Sequence, residues 1–305
     1  MTREPGATSE AGTRAGGVVA LVSGGLDSVT LAHLLHHRGH APLHLLSVDY
    51  GQRHRRELDD ARACAERLGA RWDCVDLGTL GGLLGGSALT DAAVEVPDGH
   101  YADETMRITV VPNRNALMLA IAHAIAVAEG APAVAAAFHA GDHPVYPDCR
   151  PEFVDAFRRM QTLATEGFAP ADMLVTPFLH LDKAAIVRTG HRLGVPFERT
   201  WSCYRGGELH CGRCGTCVER REAFDLAGVP DPTPYETVAA GCGCSPSPRC
   251  SDRPCRARGR RWDGAAPSCA SAAATSTARG ATPRTPGTGR ASAPVRSSAG
   301  STPAR

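Results

Sequence analysis

Residues 18–31 read VVALVSGGLDSVTL. An apolar run of strand length passes through Ser23, Gly24 and Gly25 into a segment with the length and spacing of a helix. In a sheet flanked by helices, ligands gather beyond the carboxyl ends of the strands, and residues 23–28 occupy that place after the first strand. Glycines there let backbone N–H groups approach phosphate oxygens, and the helix N-terminus adds about half a positive charge. The Ser23 and Ser28 hydroxyls are further donors. Asp27 is the odd member, because a carboxylate beside phosphates needs a cation between them, which Mg²⁺ would supply. For a Gly-Gly pair alone, a ligand-free tight turn is an equal reading. The Gly-Lys-Ser/Thr of a Walker loop is absent, so a lysine for the phosphates has to come from elsewhere in the chain.

Further apolar runs at 43–48, 72–77, 133–138 and 173–178 read as strands, and segments 26–39, 55–69 and 114–130 have helical length and spacing. Such alternation predicts an α/β fold over residues 17–200, a doubly wound parallel sheet with helices on both faces. Residues 78–108, with GGLLGG and VPDGHYADE, read as a long surface excursion of the kind that covers active sites. Past residue 200 a Cys/Gly/Arg cluster marks a small lobe, residues 201–240, with a short helix at 217–228. Residues 1–16 and 241–305 read as disordered tails. The second has no Leu, Ile, Phe or Met and cannot bury enough apolar surface to offset chain entropy.

Residues 241–305 carry eleven Arg against two Asp, which leaves the rest of the 305-residue chain near −8 although the whole sums to +1. A broad basic face for nucleic acid is not expected on such a body. The first sixteen residues lack the apolar core of a secretory signal, and the longest apolar stretch, about 116–128, is short for a bilayer span and interrupted by His123. A soluble cytoplasmic protein without a membrane partner is the expectation. Twelve cysteines in such a chain point to metal rather than disulfides.

Lys183 is the only lysine, against 32 arginines. It follows an apolar strand at a helix start, with Asp182 as a cap, and so projects at the same edge of the sheet as the glycine loop. Its compact ammonium supplies what an arginine does not, and retention by chance at a solvated helix start is the competing view. Asp49, at the end of the second strand, stands where an adenosine-contacting residue belongs by analogy, or else simply forms a turn. Cys203, Cys211, Cys214 and Cys217 form a C-x7-C-x2-C-x2-C array, which matches a closed tetrahedral Zn²⁺ site. An iron–sulfur cluster is the alternative. Zinc there would be structural, with Arg205, Arg213, Arg220 and Arg221 offsetting its formal −2 charge. The tail cysteines Cys242, Cys244, Cys250, Cys255 and Cys269 lack apolar support for a second cluster.

SGGLDS resembles the pyrophosphate-binding loop of the N-type ATP pyrophosphatases, which cleave ATP between the α and β phosphates. In this order SGGLDS, SVDYGQRHRREL, VPNRN, YPDCRPEF and TWSCYRGG…CGRCGTC resemble the 7-cyano-7-deazaguanine synthase family over roughly residues 17–236. The resemblance implies conversion of 7-carboxy-7-deazaguanine and ammonia to the nitrile with two ATP, one bound zinc, and often a homodimer. It places ATP on Leu21, Val22, Ser23, Gly24, Gly25, Leu26, Asp27, Ser28, Val29, Thr30 and Leu31, together with Asp49, with Lys183, Asp27 and Arg114 in catalytic roles. For the substrate, Arg114 and Arg150 offer charge to its carboxylate or to the phosphates. Asp142 and Asp148 offer acceptors for a guanine-like edge or ligands for Mg²⁺, and Tyr146 and Trp201 offer rings to stack on the base. Surface salt bridges or core packing are the plainer roles for each. Cys149 reads as a small packed residue. Asn113 stands where a small residue is common, and FHAGDHPVYPDCR departs from the usual Gly-first, Ser-Gly-Tyr version, so fine substrate specificity is the open point. Rival readings are a tRNA-modifying ATP pyrophosphatase, which needs a basic face, and a zinc-ribbon nucleic-acid adaptor, which leaves SGGLDS and Lys183 without a role.

Overall fold

The computed structural model describes residues 16–83, 85–100 and 106–237. The two terminal tails and all five tail cysteines therefore lie outside the described residues, apart from Gly16. Five strands, β1 (Val18–Leu21), β2 (Leu43–Asp49), β3 (Arg71–Asp76), β4 (Ala133–Ala135) and β5 (Leu174–Val175), form one parallel sheet in the order β3-β2-β1-β4-β5. The order reverses direction at β1, which puts the switch point between β1 and β4, beside the glycine loop.

Strand alternation assigns side chains to the two faces. Val18, Ala20 and Val22 enter one core with Leu43, Leu45 and Ala135; Val19, Leu46 and Val134 enter the other. The first core is closed by α1 (Leu26–His37), α2 (Glu57–Leu68), α6 (Lys183–Arg192) and α7 (Gly215–Ala227), through Leu31, Leu35, Ala61, Ile186 and Phe224. The second is closed by α4 (Arg114–Glu129) and α5 (Pro151–Ala164), through Leu119, Ala122, Val154 and Phe157. This is the doubly wound sheet that the apolar alternation predicts. Central β2 is buried along its whole length, whereas edge strand β3 exposes Arg71 and Asp76, charges that discourage pairing with another edge. Gly69 and Gly130 end α2 and α4 in the left-handed conformation.

By length and hydropathy the stretch Arg107–Glu129 would cross a membrane. Pro112 and left-handed Asn113 interrupt it, however, and α4 packs on β1 and β4 with Leu119, Ala122, His123 and Ala126 buried. Asn113 has φ +57°, which explains why that position suits a small residue: asparagine is among the few side chains that tolerate it.

The described residues of 78–108, read from sequence as a surface excursion, are exposed at Leu83, His100 and Ile108 but are anchored to the body at several points. The segment opens with the short helix α3 (Gly78–Leu83), and Ser87, Ala88, Leu89, Val96 and Met106 are buried. Leu89 packs with Tyr50 and Val111, and Val96 packs against the cysteines. Arg53 holds the segment by donating to the carbonyls of Asp91 and Val94, at 2.7 and 2.9 Å.

Candidate active site

The loop between β1 and α1 has the conformation its glycines permit. Gly24 sits at φ +95°, and a Cβ there would stand 1.9 Å from the carbonyl oxygen of Glu57, so this position admits no side chain. The Gly24 carbonyl accepts from Trp201 N–H at 3.0 Å, which ties the loop to the start of the cysteine segment. The Ser23 and Ser28 hydroxyls lie 3.2 Å apart; Gly25 N–H donates to Ser23 Oγ, and Ser23 N–H donates to Ser28 Oγ. Two serine oxygens thus occupy the cradle where an anion would sit.

This loop is one wall of a cavity of about 240 Å³ over the carboxyl ends of β1, β2 and β4. Lys183, the first residue of α6, reaches the cavity with its helix capped by Asp182 Oδ1, which accepts from Ala185 N–H at 2.6 Å. Lys183 Nζ stands 3.5 Å from Asp27 Oδ2 and donates to Glu219 Oε2 at 2.6 Å. His139 Nε2 lies 3.6 Å from Asp27 and 3.3 Å from Asp142, while its Nδ1 accepts from Gly141 N–H at 3.1 Å. Burial alone would raise the Asp27 pKa, but Lys183 and His139 outweigh it and hold the carboxyl well below the usual range. Burial would likewise discharge Lys183, but Asp27, Glu219 and Asp142 keep it charged. Asp27 therefore already has a cation beside it, and the distant lysine is delivered to the glycine loop.

The other end of the cavity is aromatic. Arg114, at the start of α4, lies 5.8 and 5.9 Å from the Tyr50 and Tyr146 rings and donates to Tyr50 Oη at 3.4 Å. Among the described residues no carboxylate forms an ion pair with it, and it lines the cavity. Tyr204, His54 and Glu57 line the cavity there too, and Trp201 lines it beside the glycine loop.

The remaining candidates divide. Ser23, Gly25, Leu26, Asp27, Ser28, Leu21, Val22, Arg114, Asp142 and Trp201 line the cavity with Lys183. Val29, Thr30 and Leu31 are buried in α1 behind the loop. Asp49 makes a turn, accepting from Gly51 N–H at 3.0 Å and pairing with Arg55. Asp148 accepts from Asn115 N–H at 3.1 Å at the start of α4, and Arg150 donates to the His143 carbonyl at 2.7 Å. Tyr146 is buried with its hydroxyl 2.8 Å from Thr109 Oγ1. None of these last four side chains is among the residues that line the cavity. Cys149 is buried and receives Asn115 Nδ2 at 3.1 Å on its sulfur, as a packed thiol would.

Sequence reasoning missed Glu219, His139, His54, Glu57 and Tyr204. His139 follows the fourth apolar run, a position that carries weight only once the strand order is known. Glu219 gave no signal beyond its nearness to Cys217.

The Sγ atoms of Cys203, Cys211, Cys214 and Cys217 lie within 4.8 Å of one another, all buried. Cys211 N–H and Cys214 N–H point at the sulfurs of Cys203 and Cys211, at 3.4 and 3.3 Å, an arrangement that favours thiolates. A tetrahedral metal with bonds of about 2.3 Å needs sulfurs about 3.8 Å apart, so the donor set fits a closed four-thiolate ion site. Arg205 and Arg213 reach Asp98, and Arg221 reaches the Gly212 carbonyl. Arg220 is buried and holds Asp231, Thr200, Ser202 and the Phe197 carbonyl, so it builds the lobe. The described residues fall in one compact unit.

Residues 17–228 match the model of the family described as queuosine biosynthesis protein QueC. The chain belongs to that family. QueC relatives include a 7-cyano-7-deazaguanine synthase from Rhizobium johnstonii, 62% identical over 72% of this chain and 91% of its own length. Another, from Paracoccus denitrificans, is 61% identical over 72% of this chain and 92% of its own. The QueC match thus spans the sheet and the cysteine array together. Among solved structures, an NMN synthetase from Francisella tularensis is similar over 71% of this chain and 79% of its own, at 18% identity and a TM-score of 0.40, too slight a likeness to bear on function.

Proposed function

We propose that the chain converts 7-carboxy-7-deazaguanine and ammonia to 7-cyano-7-deazaguanine at the expense of two ATP, in queuosine biosynthesis. The observation that carries the reading is Lys183 drawn onto Asp27 at the Ser23–Ser28 loop, in a chain about 60% identical to synthases of that name. A carboxylate is a poor electrophile. Attack of its oxygen on the α-phosphorus breaks the bond to the β-phosphate and makes an acyl adenylate, from which ammonia displaces AMP. The resulting amide oxygen takes a second adenylyl group, and loss of AMP with the amide protons leaves the nitrile.

In this cavity, the loop N–H groups, the serine hydroxyls and Lys183 receive the charge that builds on departing pyrophosphate, and each well-aimed donor contributes on the order of 3 kcal/mol. Asp27 and Glu219 position the Lys183 ammonium, and Arg114 draws the substrate carboxylate to the aromatic end. Mg²⁺ held at Asp27 would neutralise phosphate charge. Zn²⁺ on the four cysteines would fix the lobe that carries Glu219, with no open position for chemistry.

The test is to mix protein with ATP, Mg²⁺, ammonium and 7-carboxy-7-deazaguanine and follow nucleotides by chromatography and the base by mass spectrometry. AMP together with the nitrile mass is the expected result. AMP without nitrile would move the substrate elsewhere, towards a base already in tRNA, and no base-dependent AMP from folded, metal-loaded protein would overturn the reading.

A further inference from the structure

The aromatic end of the cavity contains a carboxyl that the scheme above leaves unused. Glu57 opens α2 and is 8% exposed. Its Oε1 accepts from Gln52 Nε2 at 3.2 Å and lies 3.5 Å from His54 Nε2. His54 stacks on Tyr204 at 5.3 Å, is buried, and has no hydrogen-bond partner at Nδ1. Among the described residues no arginine or lysine ion-pairs with Glu57. A buried carboxylate without a cation is costly, whereas a buried carboxylic acid is a neutral donor and acceptor side by side.

That donor–acceptor pair has a natural complement. A lactam presents N–H beside C=O, and a carboxylic acid closes two hydrogen bonds on it, accepting from the N–H and donating to the oxygen. We propose that Glu57 is a specificity residue that reads the lactam edge of the base as a carboxylic acid, with Gln52 and His54 holding it in place. The proposal rests on the function given above and adds to it the group that recognises a guanine-like ring. It differs from charge-based recognition, in which a carboxylate would take two N–H donors.

Burial pushes the Glu57 carboxyl up to about 8, with Asp49 from β2 and Asp60 from α2 adding to the shift and Gln52 and Arg114 opposing it. Burial, Arg114 and Arg53 press His54 down to about 3, so it brings no charge to Glu57.

The experiment compares wild type, Glu57→Leu and Glu57→Gln in steady-state AMP formation from pH 6 to 9, and in calorimetric binding of 7-carboxy-7-deazaguanine without ATP. An amide offers the same donor–acceptor pair as the acid and does not ionise. Glu57→Leu is expected to raise KM for the base at least tenfold while KM for ATP stays within twofold. Glu57→Gln should recover most of that loss and abolish the rise in KM that wild type shows above pH 8. Equal damage from both variants would show that the charge matters and overturn the proposal. So would an effect on KM for ATP instead of the base, or no effect at all. If Glu57→Leu fails to fold, the wild-type and Glu57→Gln pH profiles decide alone. Should wild type bind the base but form no AMP, the proposed reaction fails while binding by the variants still tests the edge recognition.

Discussion

Replacing Gly24 by alanine tests the glycine loop most directly. At φ +95° an L-residue incurs strain of about 1–2 kcal/mol. The added Cβ would also stand 1.9 Å from the Glu57 carbonyl oxygen and 2.9 Å from Ala61 N. Both are backbone atoms of α2, so no side chain can turn aside; overpacking of this kind costs about 1–3 kcal/mol more. The sum, roughly 2–5 kcal/mol, is a large share of the 5–15 kcal/mol typical of a domain and corresponds to a fall in melting temperature of roughly 5–20 °C for a body of this size. Because the loop must move off α2 to relieve the clash, its hydroxyls and N–H groups leave the Lys183 ammonium, and AMP formation should fall about 100-fold. Gly25→Ala is the control: there a Cβ would meet Ser23 Oγ at 3.3 Å and the Trp201 carbonyl at 3.5 Å, with φ at −73°, so the loss should stay below about 1.5 kcal/mol. Thermal unfolding followed by circular dichroism, beside an AMP assay, reads both effects. A Gly24→Ala protein as stable as wild type within 0.5 kcal/mol would refute the close approach of loop and helix.

Lys183→Met should lower AMP formation at least 100-fold with the metal content of the cysteine site unchanged; turnover within threefold of wild type would remove the lysine from the phosphate site. Cys214→Ser should lose the bound metal, read by inductively coupled plasma mass spectrometry against about one ion per chain in wild type, and melt early. Arg220→Leu takes the ion-pair partner from half-buried Asp231 and a buried donor from the Thr200 hydroxyl and the Phe197 carbonyl, and should cost about 3–5 kcal/mol, measured by urea unfolding; a smaller loss than Arg199→Leu, an exposed control, would contradict the role of Arg220 in the lobe. Stability should also depend on pH through Glu57. Its folded pKa of about 8 lies above the usual 4.5, so its contribution is complete below pH 4.5 and is lost as pH rises through 8, on the order of a few kcal/mol in all. Glu57→Gln should therefore raise the melting temperature more at pH 8.5 than at pH 5, and an equal shift at both would contradict the buried acid.

The parts of this site that depend on neighbours in sequence were legible, and those that depend on packing were not. The Ser23–Ser28 loop announces itself because strand, glycine turn and helix start fall within fourteen residues, and three cysteines fall within seven. Asp182 as the cap of α6 is read from one residue and its successor. By contrast, Glu219 meets Lys183 only because α6 and α7 pack together on the first core, a contact between residues 36 apart that no local period encodes. His139 reaches Asp27 across the β1–β4 switch point for the same reason. Asp49, Asp148 and Arg150 show the opposite limit: the sequence puts Asp49 at the end of the second strand and Asp148 and Arg150 in a proline-punctuated loop but does not say which way they face, and each is taken up by a turn, a helix start or a carbonyl.

The division of the chain at residue 200 conceals the most consequential of these contacts. α7 begins at Gly215, between two of the cysteines, and carries Cys217 in its first turn and Glu219 two residues later. The Cys214 sulfur lies 3.4 Å from Thr216 Oγ1, and Thr216 and Glu219 both line the cavity. The helix that holds the lysine's carboxylate is thus anchored at its start by the four-thiolate site. Trp201 N–H on the Gly24 carbonyl makes a second tie between the same two regions. A perturbation of the cysteines should consequently reach the phosphate loop. Cys214→Ser protein that still folds in part should lose affinity for ATP as well as metal, measured by equilibrium binding of a non-hydrolysable analogue, whereas Arg221→Ala, which removes the bond to the Gly212 carbonyl at 2.7 Å and the contact with the Tyr235 ring but leaves the thiolates in place, should leave that affinity within threefold of wild type. Full ATP affinity in a metal-free Cys214→Ser chain would mean that the lobe and the phosphate site are built independently, despite sharing a helix.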